Sequence, residues 1–146
     1  MTKSIFYFIV LLLIVSCREK LDKKIVLFQN VELDNEEYKL YFFALESIGI
    51  KGFDNFYIED KTTLAKIKNE WVFDEKSEVW ACGYSYVMVL MMGDKMVFRK
   101  SINTDCEYLE GWIYFPKSYL TKHKKEFKKL TQKEVAAFQK KHNLFY

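Results

Sequence analysis

Eleven consecutive apolar residues, Ile5–Val15, stand near the head of the chain, and no apolar run of that length recurs. Beyond it, polar and apolar positions alternate in shorter units. Ile25–Val31 reads as a short strand. Leu33-Asp34-Asn35-Glu36-Glu37 has the form of a helix start, with Asp34 placed to cap and Glu37 three residues on. Tyr38, Tyr41, Phe42, Leu45 and Ile48 then recur at helical spacing, so a helix is expected until Gly49 and Gly52. Phe56-Tyr57-Ile58 is a short strand. Asp60 caps an expected helix through Glu70, with Leu64, Ile67 and Trp71 inward. Val79–Met92 and Met96–Cys106 are rich in β-formers around the turn residues Gly93-Asp94-Lys95, which predicts a hairpin. Its even positions, Cys82, Tyr84, Tyr86, Met88, Leu90, Met96, Phe98 and Ile102, form an apolar face. The odd positions carry Ser85, Arg99, Ser101 and Asn103, yet also Val87, Val89, Met91 and Val97, so the middle of that face is expected to be partly covered. Tyr108–Phe115 is a third strand, stopped by Pro116. Lys117–Leu130 reads as helical, with Leu120, Phe127 and Leu130 inward. Thr131-Gln132-Lys133-Glu134 is a capping box that opens a last helix, with Val135, Phe138 and Leu144 inward and Asn143 as its terminator.

These units sum to an α+β fold: an antiparallel sheet of three to five strands, built on a central hairpin and packed with three to four helices. With no internal repeat and no interdomain linker, residues 25–146 are expected to form one small domain. Half of the 146 residues are hydrophobic and 29% are charged, which is too apolar for a disordered chain. Only five glycines and one proline are present, so collagen-like and linker-like readings fall away. A domain near this length buries roughly two-thirds of its unfolded surface, enough for a real core.

The N-terminal run is too short for a bilayer span, which takes about 20 residues. Lys3 is the only charge before Arg18, and a basic start, an apolar core and a small residue before a break describe a secretory signal peptide. An ordinary signal peptide or a short membrane helix is the plainer reading of the run alone. The break itself, Ile14-Val15-Ser16-Cys17, resembles the lipobox of bacterial lipoproteins: an aliphatic residue, a permissive position, a small residue, then Cys. The resemblance covers residues 1–17 and implies removal of residues 1–16, with a diacylglyceryl thioether on Cys17 and acylation of its new amino group. Several acyl chains at ~0.8 kcal/mol per buried methylene make a stable anchor. The resemblance also implies an outer-membrane location, on the periplasmic or the cell-surface face, because the retention residue Asp is absent after Cys17 and Arg18 stands there. Residues 17–24 would be the lipidated Cys and a short polar tether reaching roughly 25 Å at most.

Setting Cys17 aside leaves Cys82 and Cys106, and two thiols in an exported protein usually pair. A three-residue loop Gly93–Lys95 pairs Met92 with Met96 and carries the register until Cys82 faces Cys106 across the hairpin. A two-residue Gly93-Asp94 turn would shift that register by one and set the cysteines diagonally. The bridge closes a loop worth on the order of 3 kcal/mol. Metal ligation by the same cysteines with His123 and His142 fits poorly, since the spacings match no compact zinc motif.

No nucleophile elbow, zinc-protease helix or phosphate-binding glycine loop is present. His123 and His142 lie among lysines and are expected on the surface. Asp105, Glu107 and Glu110 cluster near the second cysteine, and Asp74, Glu75 and Glu78 before the hairpin. A carboxylate pair serves glycoside hydrolysis, but loops carry acids by default, so no catalytic residue, cofactor or metal is expected. Residues 117–146 hold nine Lys and two Glu, net +7, whereas residues 28–78 hold twelve acids and six Lys, net −6. Solvated, mutually neutralising faces are the plainer account. A dipolar surface steering a charged partner, or a basic last helix against anionic headgroups, is the sharper one. Nucleic acid would be in the wrong compartment. Of thirteen Phe, ten Tyr and three Trp most are expected in the core, and Tyr and Trp beyond what the core can hold are expected at an interface. The outline resembles small lipoproteins, including immunity proteins that sit at the membrane and block a toxic enzyme. The expected role is a non-catalytic protein-binding module in the envelope. A glycan- or small-ligand-binding lipoprotein and a structural envelope component are the alternatives.

Overall fold

The structure, a computed structural model, describes residues 24–33, 37–45, 50–75 and 82–144. The signal-peptide and lipobox readings, the Asp34 cap and Glu78 lie outside these residues. The fold is α+β, with nine strands in two sheets and three α-helices among the described residues. The expected three to five strands are therefore too few. The main sheet runs β8-β7-β6-β5-β2-β3-β9, with β2 at Tyr38–Ala44, β3 at Asn55–Ile58, β5 at Tyr86–Met92 and β6 at Lys95–Asn103. Its outer strands are two-residue pieces: β7 (Tyr108–Leu109), β8 (Ile113–Tyr114) and β9 (Lys128–Lys129). Every neighbour is antiparallel. A second sheet joins β1 (Ile25–Val26) to β4 (Val72–Phe73).

Both faces of the main sheet are covered. One face packs Leu40, Phe42, Phe56, Ile58, Tyr86, Met88, Leu90 and Ile102 against helix α1 (Lys61–Glu70), helix α2 (Lys117–Thr121) and the small sheet. The opposite face packs Phe43, Val87, Val89 and Met91 beneath helix α3 (Gln132–His142) through Val135, with Leu144 beside it. This double burial explains the largest correction. The segment expected as a helix through Tyr38, Tyr41, Phe42 and Leu45 is strand β2 where it is described. A central strand buried on both sides is apolar on consecutive positions, and over a short run that pattern imitates helical spacing.

The hairpin turn is also corrected. Met92 pairs with Lys95 across a two-residue Gly93-Asp94 turn, and Gly93 at φ +55 supplies the left-handed residue that primed hairpin turns need. A bulge then intervenes, so that Met91 faces Met96 but Leu90 faces Phe98. The extra residue restores the register that a three-residue loop would give, and Tyr86 faces Ile102 as expected. Only the residues beside the turn change sides: Met96 joins the α3 face and Val97 the opposite one.

Two further segments differ. Tyr108–Phe115 is not one strand, because Gly111 at φ +97 and Trp112 at φ +64 fold it into the β7–β8 turn. Lys117–Leu130 is not one helix. After α2 comes a 3₁₀ turn at Lys124–Glu126, and Lys128–Lys129 then pairs with β3. Extended chain lets Phe127 stack on Phe56 at 4.2 Å while Leu130 reaches the α3 side. A helix would have put both on one face. The Asp60 cap, whose Oδ1 accepts from Thr63 N at 2.8 Å, and the Thr131–Glu134 capping box form as expected. Asn143 ends α3 in the left-handed conformation.

Candidate binding surfaces

Cys82 and Cys106 are joined by a disulfide with Cα atoms 6.5 Å apart. The bridge lies beyond the ends of β5 and β6 rather than within their ladder. Beside it is Asn103, one of the polar residues on the odd positions of the hairpin and only 3% exposed. Its Nδ2 donates to the carbonyls of Cys82 at 3.0 Å and Gly83 at 3.1 Å. Its Oδ1 accepts from the N–H groups of Asp105 at 2.9 Å and Cys106 at 2.7 Å. One amide thus ties together the two segments that the disulfide also joins. Tyr108 adds a bond from its hydroxyl to the Gly83 carbonyl at 3.0 Å, and burial pushes that hydroxyl up to about 12.

The carboxylates singled out in the sequence serve this end of the sheet. Glu107 accepts from Lys117 N at 3.1 Å and from the Tyr114 hydroxyl at 3.0 Å. Glu110 accepts from Ser101 N at 3.0 Å, and Asp105 pairs with Lys117 at 3.1 Å. Asp74 pairs with Lys24, and its carbonyl accepts from Tyr114 N at 3.0 Å. Glu75 bridges Ile113. Above them stand Trp112, 57% exposed, and Tyr114, 39% exposed. A non-glycine residue at positive φ is held there at a cost, and here that residue is the most exposed large apolar side chain of the described residues. Trp71, by contrast, is wholly buried.

A second surface lies at the other end of β2 and β5. Lys39 and Tyr41 alternate along β2 onto the α3 side, and Tyr57 sits beside Tyr41 in register on β3. Phe138, Lys141 and His142 come from one face of α3. Together with Met91, Gly93, Asp94, Leu130, Glu134 and Ala137 they wall a cleft of about 350 Å³. Tyr41 stacks on Tyr57 at 5.4 Å and meets Phe138 at 4.9 Å. His142 lies against Phe138 at 4.5 Å. Burial raises the Tyr41 hydroxyl above its ordinary pKa. Lys39 pairs with Glu59 at 2.8 Å and lies over the Tyr57 ring at 5.5 Å. Its ammonium is raised by the bond to Glu59, whose carboxyl is lowered by Lys128 and then by Lys39. Lys141 pairs with Asp94 at 2.6 Å.

The charge asymmetry of the sequence closes partly on itself: Lys122 reaches Glu70 at 2.9 Å and Lys128 reaches Glu59 at 2.6 Å. His123 corrects an expectation. It is 7% exposed, with Nε2 3.3 Å from Glu70 Oε2, because the chain turns inward after α2. His142 is half-buried. Among the described residues no group of three or more His, Cys, Asp or Glu is placed to hold a metal ion, and no helix is long and apolar enough to cross a membrane. Comparison with protein-family models, curated proteins and solved structures finds no match to this chain.

Proposed function

We propose that this chain is an envelope lipoprotein, anchored through Cys17, whose folded part is a non-catalytic protein-binding module. The observation that carries this reading is the cleft at the hairpin-tip end. Tyr41, Tyr57 and Phe138 place aromatic surface in a recess, and Lys39, Glu134, Lys141 and Asp94 bring charges of both signs to its walls. An apolar centre within a charged rim suits an inserted side chain of a partner protein, with the rim fixing orientation. A membrane-tethered inhibitor or immunity protein is the sharpest form of the proposal. The engagement of Glu107, Glu110 and Asp105 with backbone and lysine supports a structural role for those acids.

The test is capture from native envelope extract by the mature protein, with Tyr57→Ala and Lys39→Glu run beside it. One stoichiometric protein, weakened about tenfold or more by Tyr57→Ala, is the expected outcome. A partner retained equally by all three proteins would move the contact surface elsewhere. A glycan-binding role is the second reading, favoured by the stacked Tyr41 and Tyr57 rings. Retention of saccharide without protein would establish it in place of the first.

A further inference from the structure

We propose that Trp112 and Tyr114 dock the folded domain onto the lipid headgroup layer, fixing its orientation with the β7–β8 edge of the main sheet toward the membrane. The inference rests on the lipid-anchor reading of Cys17. The first described residue, Lys24, is ion-paired with Asp74, and the Asp74 carbonyl accepts from Tyr114 N. The chain therefore leaves the fold beside β8. Only seven peptide units separate Lys24 from Cys17, a reach of roughly 25 Å fully extended. Whatever surface surrounds Lys24 is the surface held nearest the bilayer.

That surface presents Trp112 at 57% exposure, Tyr114 at 39% and Val26 at 36%. Trp and Tyr are the side chains that favour the headgroup level, where an apolar ring and a polar tip are both satisfied. The positive φ at Trp112 and its glycine neighbour raise the indole on a turn instead of folding it onto the sheet. Charge plays no part in the docking. Asp74, Glu75, Asp105, Glu107 and Glu110 outnumber Lys24, Lys100 and Lys117 here, and no gain from anionic lipid is expected. The lysine-rich end of α3 is elsewhere, with Lys141 paired to Asp94 at the hairpin tip.

The experiment uses the full lipidated protein in phosphatidylcholine vesicles carrying nitroxide-labelled acyl chains. Tryptophan emission is compared between the wild type and Trp112→Phe, whose difference isolates Trp112. The expected result is emission quenched from the lipid, loss of that quenchable part in Trp112→Phe, and no change when salt is raised. Trp112→Asn, which suits positive φ, should abolish it equally, and flotation with the vesicles should persist in both variants. If the protein floats with the vesicles but Trp112 is quenched only by a water-borne quencher, the docking is overturned. If salt reverses the lipid quenching, docking by aromatic side chains is overturned. If the protein does not float at all, the anchor reading fails, and the orientation falls with it.

Discussion

Replacing Asn103 by alanine deletes both the donors to the Cys82 and Gly83 carbonyls and the acceptor for the Asp105 and Cys106 N–H groups. At ~1 kcal/mol for each bond the loss is about 4 kcal/mol. The freed backbone groups are only part-buried and regain some water, which brings the figure to about 2–3 kcal/mol. Urea unfolding followed by the emission of buried Trp71 reads this directly. With a slope of ~1–2 kcal/mol per molar expected for a domain of this size, the midpoint should fall by about 1–3 M. Asn103→Asp keeps the acceptor but turns a carboxylate toward two carbonyl oxygens, so it should not rescue stability. A loss below about 0.5 kcal/mol, the range of ordinary surface substitutions, would refute the assignment of Asn103 as the clamp of this end.

Cys82→Ser with Cys106→Ser should lower stability by about 3 kcal/mol on the loop-entropy model, and the wild type should show neither thiol to a labelling reagent in denaturant without reductant. Thr131→Ala removes the cap of α3 and should cost about 1 kcal/mol, read by urea unfolding. The Glu59 carboxyl lies below its ordinary value of 4.5 through Lys128 and then Lys39. Its contribution is therefore complete above that value and is lost as pH falls through the lower folded one. Stability measured against pH should decline in acid, and Glu59→Gln should flatten the decline; an unchanged acid limb would count against the Lys39–Glu59–Lys128 cluster. Cys17→Ala should move the protein from the membrane to the soluble fraction, and continued membrane association would refute lipid anchoring.

Local signals were legible where a local interaction sets the structure. The Asp60 and Thr131 caps, the Asn143 terminator and the place of the hairpin turn, though not its length, each act within one helical turn or one hairpin, and the residues present name their own partners. The pairing of Cys82 with Cys106 was legible too, since two thiols remain once Cys17 is set aside, although the route by which the register reaches them was not. The binding surfaces were much less so. Lys39, Tyr41 and Tyr57 carry no motif, and they meet Phe138 and Lys141 only because α3 lies across β2 and β3. The burial of Asn103 was not legible, because two of its four partners are carbonyls on a segment about twenty positions earlier.

By itself the sequence determined the fold class, the caps, the half-buried helix faces and the alternation of the hairpin, all of which depend on neighbours close along the chain. Tertiary structure decided that Tyr38–Ala44 is a strand, that Lys128–Lys129 closes the edge of β3, that His123 turns inward and that Trp112 stays out. Each of those outcomes depends on which surface a segment finds to cover it. A run apolar on successive positions is compatible with helix and with central strand alike, and only the arrival of helices on both faces of the sheet selects between them.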